Sequence, residues 1–410
     1  MSFNMSKRYE IIQKIIEIEI YLYIIFMFLT KGEAIRNILL FSSFFLWLAS
    51  IRLNENRGIL KHPVALLFWG NIASVIIASI FSIDPLYSFS SLKLDPLRAV
   101  IIFCLLATMF SDEKRIKRFV TISYFLLLFT ISVGYFSYWA YDLPLMKPTT
   151  AIRHAWHSRF AVDLNTLLPF TFILFLMTKD KRSKAVFLFT MIAAISGIVL
   201  STSRGGLAGF ISILSVWLMY LLKIKKINFK FITATVLLIV ALTGTSLLVS
   251  PWLRAKSTDI ENIMSLTRRT EIWGPLIAAA SERPVFGWGY GPDIFTMDKP
   301  FENTPFKKAP VHIKPAFRNP HNPFLRIFFH QGIPGVIMYI ALLVTATITF
   351  WKGRSNTEHF VSYILVACTS ILVGTYFVNA VVENSQLRDL ALILGLGMAA
   401  KKLKSEDSNT

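Results

Sequence analysis

The sequence predicts an all-α protein that crosses a membrane many times. Of its 410 residues, 54% are hydrophobic and only 16% are charged, and the mean hydropathy is +0.56. The apolar residues come in long continuous runs, which are typical of membrane-spanning helices. The strands of an outer-membrane barrel would instead alternate apolar and polar residues over about ten positions. Helices are favoured because each satisfies its own backbone hydrogen bonds inside hydrocarbon.

The apolar runs predict twelve membrane spans. The first span is the most polar, because Lys14, Glu17 and Glu19 lie near its start. In chain order the spans are 15–30, 38–51, 64–83, 97–110, 119–140, 160–177, 185–200, 207–222, 231–249, 334–350, 360–378 and 387–400.

The basic residues predict how these spans are oriented. With twelve spans, six lysine- and arginine-rich clusters fall on one side together with both termini, which identifies that side as cytoplasmic. The clusters are Arg52/Arg57/Lys61, Lys114/Arg115/Lys117/Arg118, Lys179/Lys181/Arg182/Lys184, Lys223/Lys225/Lys226/Lys230, Lys352/Arg354 and Lys401/Lys402/Lys404. The opposite, outer side receives the loop 141–159, the turn 202–206 and the long segment 251–331. The predicted organisation is therefore spans 1–9 in 1–250, a long outer loop with short helices in 251–331, and spans 10–12 with a cytoplasmic tail in 332–410.

Composition also excludes several classes of protein. The formal net charge of +19 is divided among short loops rather than gathered on one domain, so nucleic acid is not an expected partner. Cys104 and Cys368 both lie in apolar runs and are expected to pack in the interior, without a disulfide or a thiolate metal site. No cleavable signal peptide is evident at the start of the chain.

The stretch 318–326 is the strongest candidate for chemistry. Asn322 is predicted to cap a helix that has Pro323 at its first position and ends at Gly332. The preceding residue, His321, would then lie beside a helix N-terminus, where a neutral imidazole can accept a proton from a hydroxyl group near pH 7. On position alone, His321 could equally be a polar loop residue with no role.

Two further arginine motifs lie on the predicted outer side of the membrane. Arg204 follows the seventh span in a Ser-Arg-Gly-Gly turn whose glycines would let the backbone approach a ligand. The alternative is an interfacial arginine that reaches lipid phosphates. Arg268 and Arg269 lie at a predicted helix start, with Thr267 as cap and Pro275 as an early interruption, where they would form an anion site or a solvated surface pair.

Two other motifs predict no chemistry. The glycines of residues 287–291 follow no strand, so a tight turn with aromatic side chains at the membrane interface is expected instead of a dinucleotide loop. His154 and His157 have metal-ligand spacing, but no cysteine or carboxylate completes a set, so no metal site is predicted.

Taken together, these motifs resemble those of the O-antigen ligases of the WaaL type, within the O-antigen ligase/polymerase superfamily. The most specific match is His321-Asn322, then nine residues, then Gly332-x-x-Gly335 and an aliphatic residue. Weaker matches are Ser203-Arg204-Gly205 after a span, and Arg269-x-x-x-Trp273 leading to Pro284-x-x-Gly287-x-Gly289. After Val336 the chain has Ile337-Met338 where the family often has Thr-Leu.

The resemblance implies a metal-independent, inverting glycosyl transfer without a cofactor, on a fold similar to the lipid-dependent, GT-C-like glycosyltransferases. It also implies that the outer side is the periplasmic face of a bacterial inner membrane and that the loop 251–331 carries the catalytic helices. The donor would be O-antigen polysaccharide on undecaprenyl pyrophosphate, and the acceptor a sugar hydroxyl of lipid A–core, in lipopolysaccharide biosynthesis. His321 would act as general base, while Arg204 and Arg269 would bind the pyrophosphate. Further substrate contacts are expected from Arg268, Arg318, Asn322 and Arg326.

Three alternatives remain open from the sequence. An O-antigen polymerase would use the same donor, and a protein O-oligosaccharyltransferase of the same superfamily would modify serine or threonine. A membrane transporter is less favoured, because ionisable residues collect at span ends and no internal repeat is evident.

Overall fold

The computed structural model describes residues 2–28, 32–51, 55–93, 95–110, 112–141, 157–201, 203–228, 266–303, 320, 322–378 and 386–407, with scattered positions between 230 and 244. Over these ranges the chain is helical, and no strand occurs in them. The predicted all-α class is therefore confirmed.

The α-helices, in chain order, are α1 (Ser2–Met27), α2 (Glu33–Ser50), α3 (Pro63–Ile80), α4 (Pro85–Leu92), α5 (Pro96–Met109), α6 (Glu113–Tyr141), α7 (His157–Met177), α8 (Lys181–Leu200), α9 (Arg204–Lys223), α10 (Leu266–Glu282), α11 (Pro323–Gly353), α12 (Phe360–Ile371) and α13 (Gln386–Asp407). Short 3₁₀ turns occupy Glu55–Lys61, Pro292–Thr296 and Lys299–Phe301, and α12 continues as a π-helix over Leu372–Val378.

Each predicted span that lies within the described ranges coincides with a helix. The ninth span, 231–249, falls largely outside them. Within those ranges, seven helices are long and apolar enough to cross a membrane: α3, α6, α7, α8, α9, α11, and α12 with its π-helical continuation. The protein is therefore a multi-pass membrane protein by helix length and composition, while the total of twelve spans and their orientation stay predictions.

Helix α11 begins and bends as its sequence predicts. The Asn322 side chain accepts a hydrogen bond from the backbone N–H of Leu325 (3.1 Å), with Pro323 at the first helical position. At Gly332 the backbone leaves helical geometry, with φ 71° and ψ −170°. This conformation is open almost only to glycine. The bend therefore divides α11 into a short segment, 323–331, and a long segment, 333–353.

The fully buried apolar residues of the two segments of α11 belong to different hydrophobic cores, while Phe324 and Ile327 of the short segment also pack against the large core. The large core lies among the long helices and contains buried residues of the long segment such as Leu342, Leu343 and Phe350. The small core consists of Leu276, Ala279, Ala280, Trp288, Ile294, Phe295, Phe301, Leu325 and Phe329. Because the small core joins α10, the loop after it and the short segment of α11, it fixes the region predicted to carry the chemistry.

Buried ion pairs fasten the start of α13 to two other helices. The guanidinium of Arg159 pairs with Asp163 (2.8 Å) and with Asp389 (2.7 Å), and all three side chains are at most 14% exposed. The neighbouring Arg388 pairs with Asp95 (2.8 Å). Arg159 was expected in the periplasmic loop 141–159 but lies in the first turn of α7. Removing one partner of such a buried pair would leave an uncompensated charge, so these contacts hold α5, α7 and α13 in fixed register.

Candidate functional site

Helix α10 contacts the stretch of chain that leads into α11. The indole N–H of Trp273 on α10 donates to the backbone carbonyl of Pro320 (2.7 Å). Pro320 directly precedes His321, and Trp273 lies one helical turn after Arg269. The contact therefore brings the helix that carries Arg269 to Pro320, the residue immediately before His321 in the chain.

The predicted site residues differ in how far the structure describes them. His321 and Arg318 lie outside the described residues. Arg268 and Arg269 lie in the first turn of α10, but their side chains are not among those described. Asn322, Arg326 and Arg204 are described with their side chains. The convergence of His321, Arg204 and Arg269 in space thus stays a prediction.

Arg204 is exposed at the first position of α9. The preceding residue, Ser203, caps this helix by accepting a hydrogen bond from the N–H of Gly206 (3.1 Å). A helix N-terminus carries partial positive charge, so an arginine there adds to an electropositive end that favours anions. The residue types at this turn are therefore suited to phosphate, as the sequence predicts.

The glycines after Arg204 have a different role from the one predicted. A Cβ atom on Gly206 would lie 2.4 Å from Cβ of Ala161, so Gly206 permits α9 to pack closely on α7. The side-chain amide of Asn165 on α7 donates to the carbonyl of Gly206 (2.8 Å). Gly206 thus positions the helix start by packing rather than by a sharp turn toward a ligand.

Two local predictions for α10 are wrong. The helix begins at Leu266, one residue ahead of the predicted cap Thr267, and it continues through Pro275 to Glu282. A proline inside a helix removes one backbone hydrogen bond. Here the helix continues because its later turns bury Leu276 and Ala279 in the small core. Tertiary packing outweighs the local preference.

The glycine-rich loop 287–291 is buried against α11 rather than laid on the membrane interface. The N–H groups of Trp288 and Gly289 donate to the carbonyls of Phe329 (2.9 Å) and His330 (3.1 Å). Trp288 is 4% exposed, and its indole N–H donates to the carbonyl of Ala279 (2.7 Å). The expectation of interfacial aromatic side chains is therefore wrong for Trp288.

Gly287 shows why glycine is needed in this loop. Its φ is 67°, and a Cβ there would lie 2.4–2.5 Å from backbone atoms of His330 and Gln331. Only a residue without a side chain allows the loop to run against the α11 backbone at this distance. The loop and the short segment of α11 therefore form one closely packed unit.

A polar cavity of about 60 Å³ lies behind this unit and is named here the His330 cavity. Its lining comes from five separate parts of the chain, and includes Asn71, Asp95, Tyr290, Arg326, His330, Tyr339 and Leu387. Among these, Arg326 is a predicted substrate-binding residue. The cavity also reaches Pro323, the first residue of α11, so it extends to the helix start beside His321.

His330 was not predicted, although it lies within the family motif. It is 2% exposed, and its Nδ1–H donates to the carbonyl of Gly289 (2.6 Å). Its spacing gave a weak signal: position 330 lies nine residues after His321 and two before Gly332, inside an apolar run. A polar residue in such a run is a functional-site hypothesis by default in a membrane protein.

Burial sets the protonation of the other polar groups in this cavity. Burial raises the pKa of Asp95 to about 6, and the guanidinium of Arg388 opposes that shift. Burial also raises the pKa of the Tyr290 hydroxyl well above its ordinary value. Both groups hold their protons more tightly than in water because the charged forms lose solvation.

Comparison with known proteins agrees with the motifs. Residues 188–340 match the family described as O-antigen ligase, a stretch that includes Arg204, Arg269 and His321. An uncharacterized protein of Haemophilus influenzae is 27% identical over 224 residues, which cover 51% of this chain and 54% of that protein. The chain thus spans about half the length of this curated relative. The resemblance expected from the motifs is therefore confirmed over residues 188–340, which are similar to the O-antigen ligase family.

Proposed function

We propose that the protein is an O-antigen ligase of the bacterial inner membrane. In this proposal it transfers O-antigen polysaccharide from undecaprenyl pyrophosphate to a sugar hydroxyl of lipid A–core, on the periplasmic face and without a metal or cofactor. The observation that carries the proposal is the hydrogen bond from Trp273 on α10 to Pro320, three residues before α11, because it joins the chain segments that carry two of the family motifs.

The proposed reaction is a single displacement at the anomeric carbon of the donor sugar. The acceptor hydroxyl oxygen forms the new glycosidic bond, and its proton passes to the imidazole of His321. The bond between the anomeric carbon and the pyrophosphate oxygen breaks, and undecaprenyl pyrophosphate leaves with the electron pair. Attack opposite the leaving group inverts the configuration of the donor sugar.

Arg204 and Arg269 would bind the pyrophosphate and stabilise the charge that develops as it leaves. The exposed position of Arg204 at a capped helix start supports this role, because cation and helix dipole act on the same anion. Arg268, Arg318, Arg326 and Asn322 would supply further substrate contacts. Replacing Arg204 or Arg269 by alanine should remove donor binding rather than the proton transfer itself.

A gene deletion followed by gel electrophoresis of lipopolysaccharide tests this proposal. Loss of a ligase leaves bare lipid A–core while polymer accumulates on the lipid carrier. Core that carries a single repeat unit would instead identify a polymerase, and an unchanged ladder would contradict both functions. Complementation with the intact gene should restore the wild-type pattern.

A further inference from the structure

The His330 cavity contains two buried polar atoms that the described protein does not satisfy. Nε2 of His330 and Nδ2 of Asn71 have no hydrogen-bond partner among the described residues. These side chains belong to residues that are 2% and 3% exposed, and both line the same cavity. An unsatisfied buried polar atom destabilises the fold, so such atoms mark places where a ligand or water contributes the missing bond.

The two atoms require a ligand that can both donate and accept a hydrogen bond. A carbonyl can only accept, so the bond to Gly289 places the proton of the neutral imidazole on Nδ1 and leaves a lone pair on Nε2. Nε2 therefore needs a donor. The amide nitrogen of Asn71 is itself a donor and needs an acceptor. A hydroxyl group is the smallest chemical group that supplies both.

The remaining lining favours a saccharide over an anion. The rings of Tyr290 and Tyr339 and the aliphatic side chains of Val75, Ile327 and Leu387 form apolar walls. Asp95 and Arg326 also lie in the lining, so it carries one acidic and one basic group rather than an excess of cations that would select an anion. Sugars present hydroxyl groups at their edges and C–H groups on their faces, which suits walls of this kind.

The volume limits how much of a sugar could enter. A cavity needs about 10–15 Å³ to hold one water molecule. The His330 cavity, at about 60 Å³, therefore admits a hydroxyl or hydroxymethyl group with its neighbouring atoms but not a whole polysaccharide. The lining also includes Pro323, two residues after His321. A group in the cavity would thus belong to the sugar that lies against the start of α11.

We propose that the His330 cavity is a subsite for a hydroxyl group of the acceptor saccharide, which donates to Nε2 of His330 and accepts from Nδ2 of Asn71. The proposal rests on the proposed function, since it takes the acceptor to be the sugar beside His321. His330 and Asn71 then act as specificity-determining residues, because an acceptor without that hydroxyl leaves both atoms unsatisfied.

Matched variants at position 330 distinguish the role of Nδ1 of His330 from that of Nε2. In His330→Asn the shorter amide can still donate to Gly289, as Nδ1–H does, but nothing replaces Nε2. In His330→Gln the longer amide places an oxygen near the position of Nε2. Asn71→Leu removes the donor with little change in volume. His359→Asn serves as a control, because His359 caps α12 and contributes nothing to this cavity.

The first measurement compares kcat/KM for lipid A–core acceptors that each lack one hydroxyl, using the full-length protein in lipid nanodiscs. The wild-type protein should reject one deoxy acceptor by roughly 10–100-fold, the value of one lost hydrogen-bonding partner. His330→Asn and Asn71→Leu should lose this discrimination, while His330→Gln and His359→Asn should keep it. Unchanged discrimination in both His330→Asn and Asn71→Leu would overturn the proposal, whatever their stability.

The second measurement does not depend on transfer. In protein labelled with ¹⁵N-histidine, the Nε2 resonance of His330, assigned by its loss in His330→Asn, should shift when methyl glycosides of the acceptor sugars are added. No shift at saturating glycoside would mean that water alone occupies the cavity and would overturn the proposal. If the protein transferred no glycan, the proposed function would fail, yet this binding result would still decide the subsite.

Discussion

The two segments of α11 are held in place by different forces. The short segment, 323–331, begins at a side-chain cap, receives hydrogen bonds from the glycine-rich loop and presents Arg326 and His330 to a polar cavity. The long segment, 333–353, packs apolar side chains against α3 and the rest of the large core. Helix α11 thus has a polar end held by hydrogen bonds and a long apolar segment packed in the large core, and Gly332 lies at their boundary.

This difference has a physical basis in the surroundings of each segment. Lipid tails are as apolar as leucine, so helices in a membrane associate mainly through close packing, with little hydrophobic driving force. The short segment instead contacts loops whose backbone groups need hydrogen-bond partners. Substitutions in the short segment should therefore affect chemistry or local order, and substitutions in the long segment should affect the stability of the bundle.

Gly332, at the boundary between the two segments, should be the position of α11 that is most sensitive to substitution. In Gly332→Ala, the new Cβ would have φ 71° and lie 2.4 Å from the carbonyl oxygen of Val285. Strain of about 1–3 kcal/mol would add to a clash of about 1–3 kcal/mol, so we expect a loss of about 3 kcal/mol or more in stability. Thermal unfolding in detergent measures it. Gly274→Ala is the control, because a Cβ at Gly274 meets open space; equal stability of the two variants would contradict the account.

A packing defect in the long segment should have a smaller effect. Leu343 is fully buried in the large core. Leu343→Ala should lower the melting temperature by an amount that corresponds to a loss of about 2 kcal/mol in stability. This is near the low end of the range for a buried leucine, because the lipid around the unfolded helices is also apolar. Activity per folded molecule should not change. Ile337→Ala is the matched control, since Ile337 is 59% exposed on the same segment. A loss of activity without a loss of stability in Leu343→Ala would remove the distinction between the segments.

The helix cap should give the smallest change. Asn322→Ala removes the acceptor for the N–H of Leu325 and should cost about 1 kcal/mol. Hydrogen exchange at the first turn of α11 should report it, with faster exchange of the Leu325 amide. In Asn322→Ser the hydroxyl can replace the acceptor, so exchange should stay close to that of the wild type. Equal protection in the alanine and serine variants would show that the cap does not order this turn.

Adjacent residues predicted where α11 begins and where its helical geometry breaks. Contacts between residues far apart in the chain determined the features that the sequence did not predict. Asn322, Pro323 and Gly332 were predicted correctly because capping, a fixed proline φ and a glycine-only conformation depend on a few adjacent residues. Pro275 was misjudged because burial of α10 outweighs the local cost of a proline. The His330 cavity could not be predicted, since Asn71, Asp95, Tyr290 and His330 are separated by long stretches of chain and meet only in the fold.

The most direct test of the central claim is transfer by the purified protein in lipid nanodiscs, with a lipid-linked O-antigen donor and lipid A–core acceptor. The wild-type protein should form the ligated product, and His321→Ala should lower its rate by on the order of 10²–10⁴-fold, the contribution of a general base. Donor binding and the melting temperature should stay near the wild-type values. Near-normal transfer by stably folded His321→Ala would contradict the assignment of His321 as the base. A wild-type protein that lengthened the donor but never modified lipid A–core would contradict the ligase function itself.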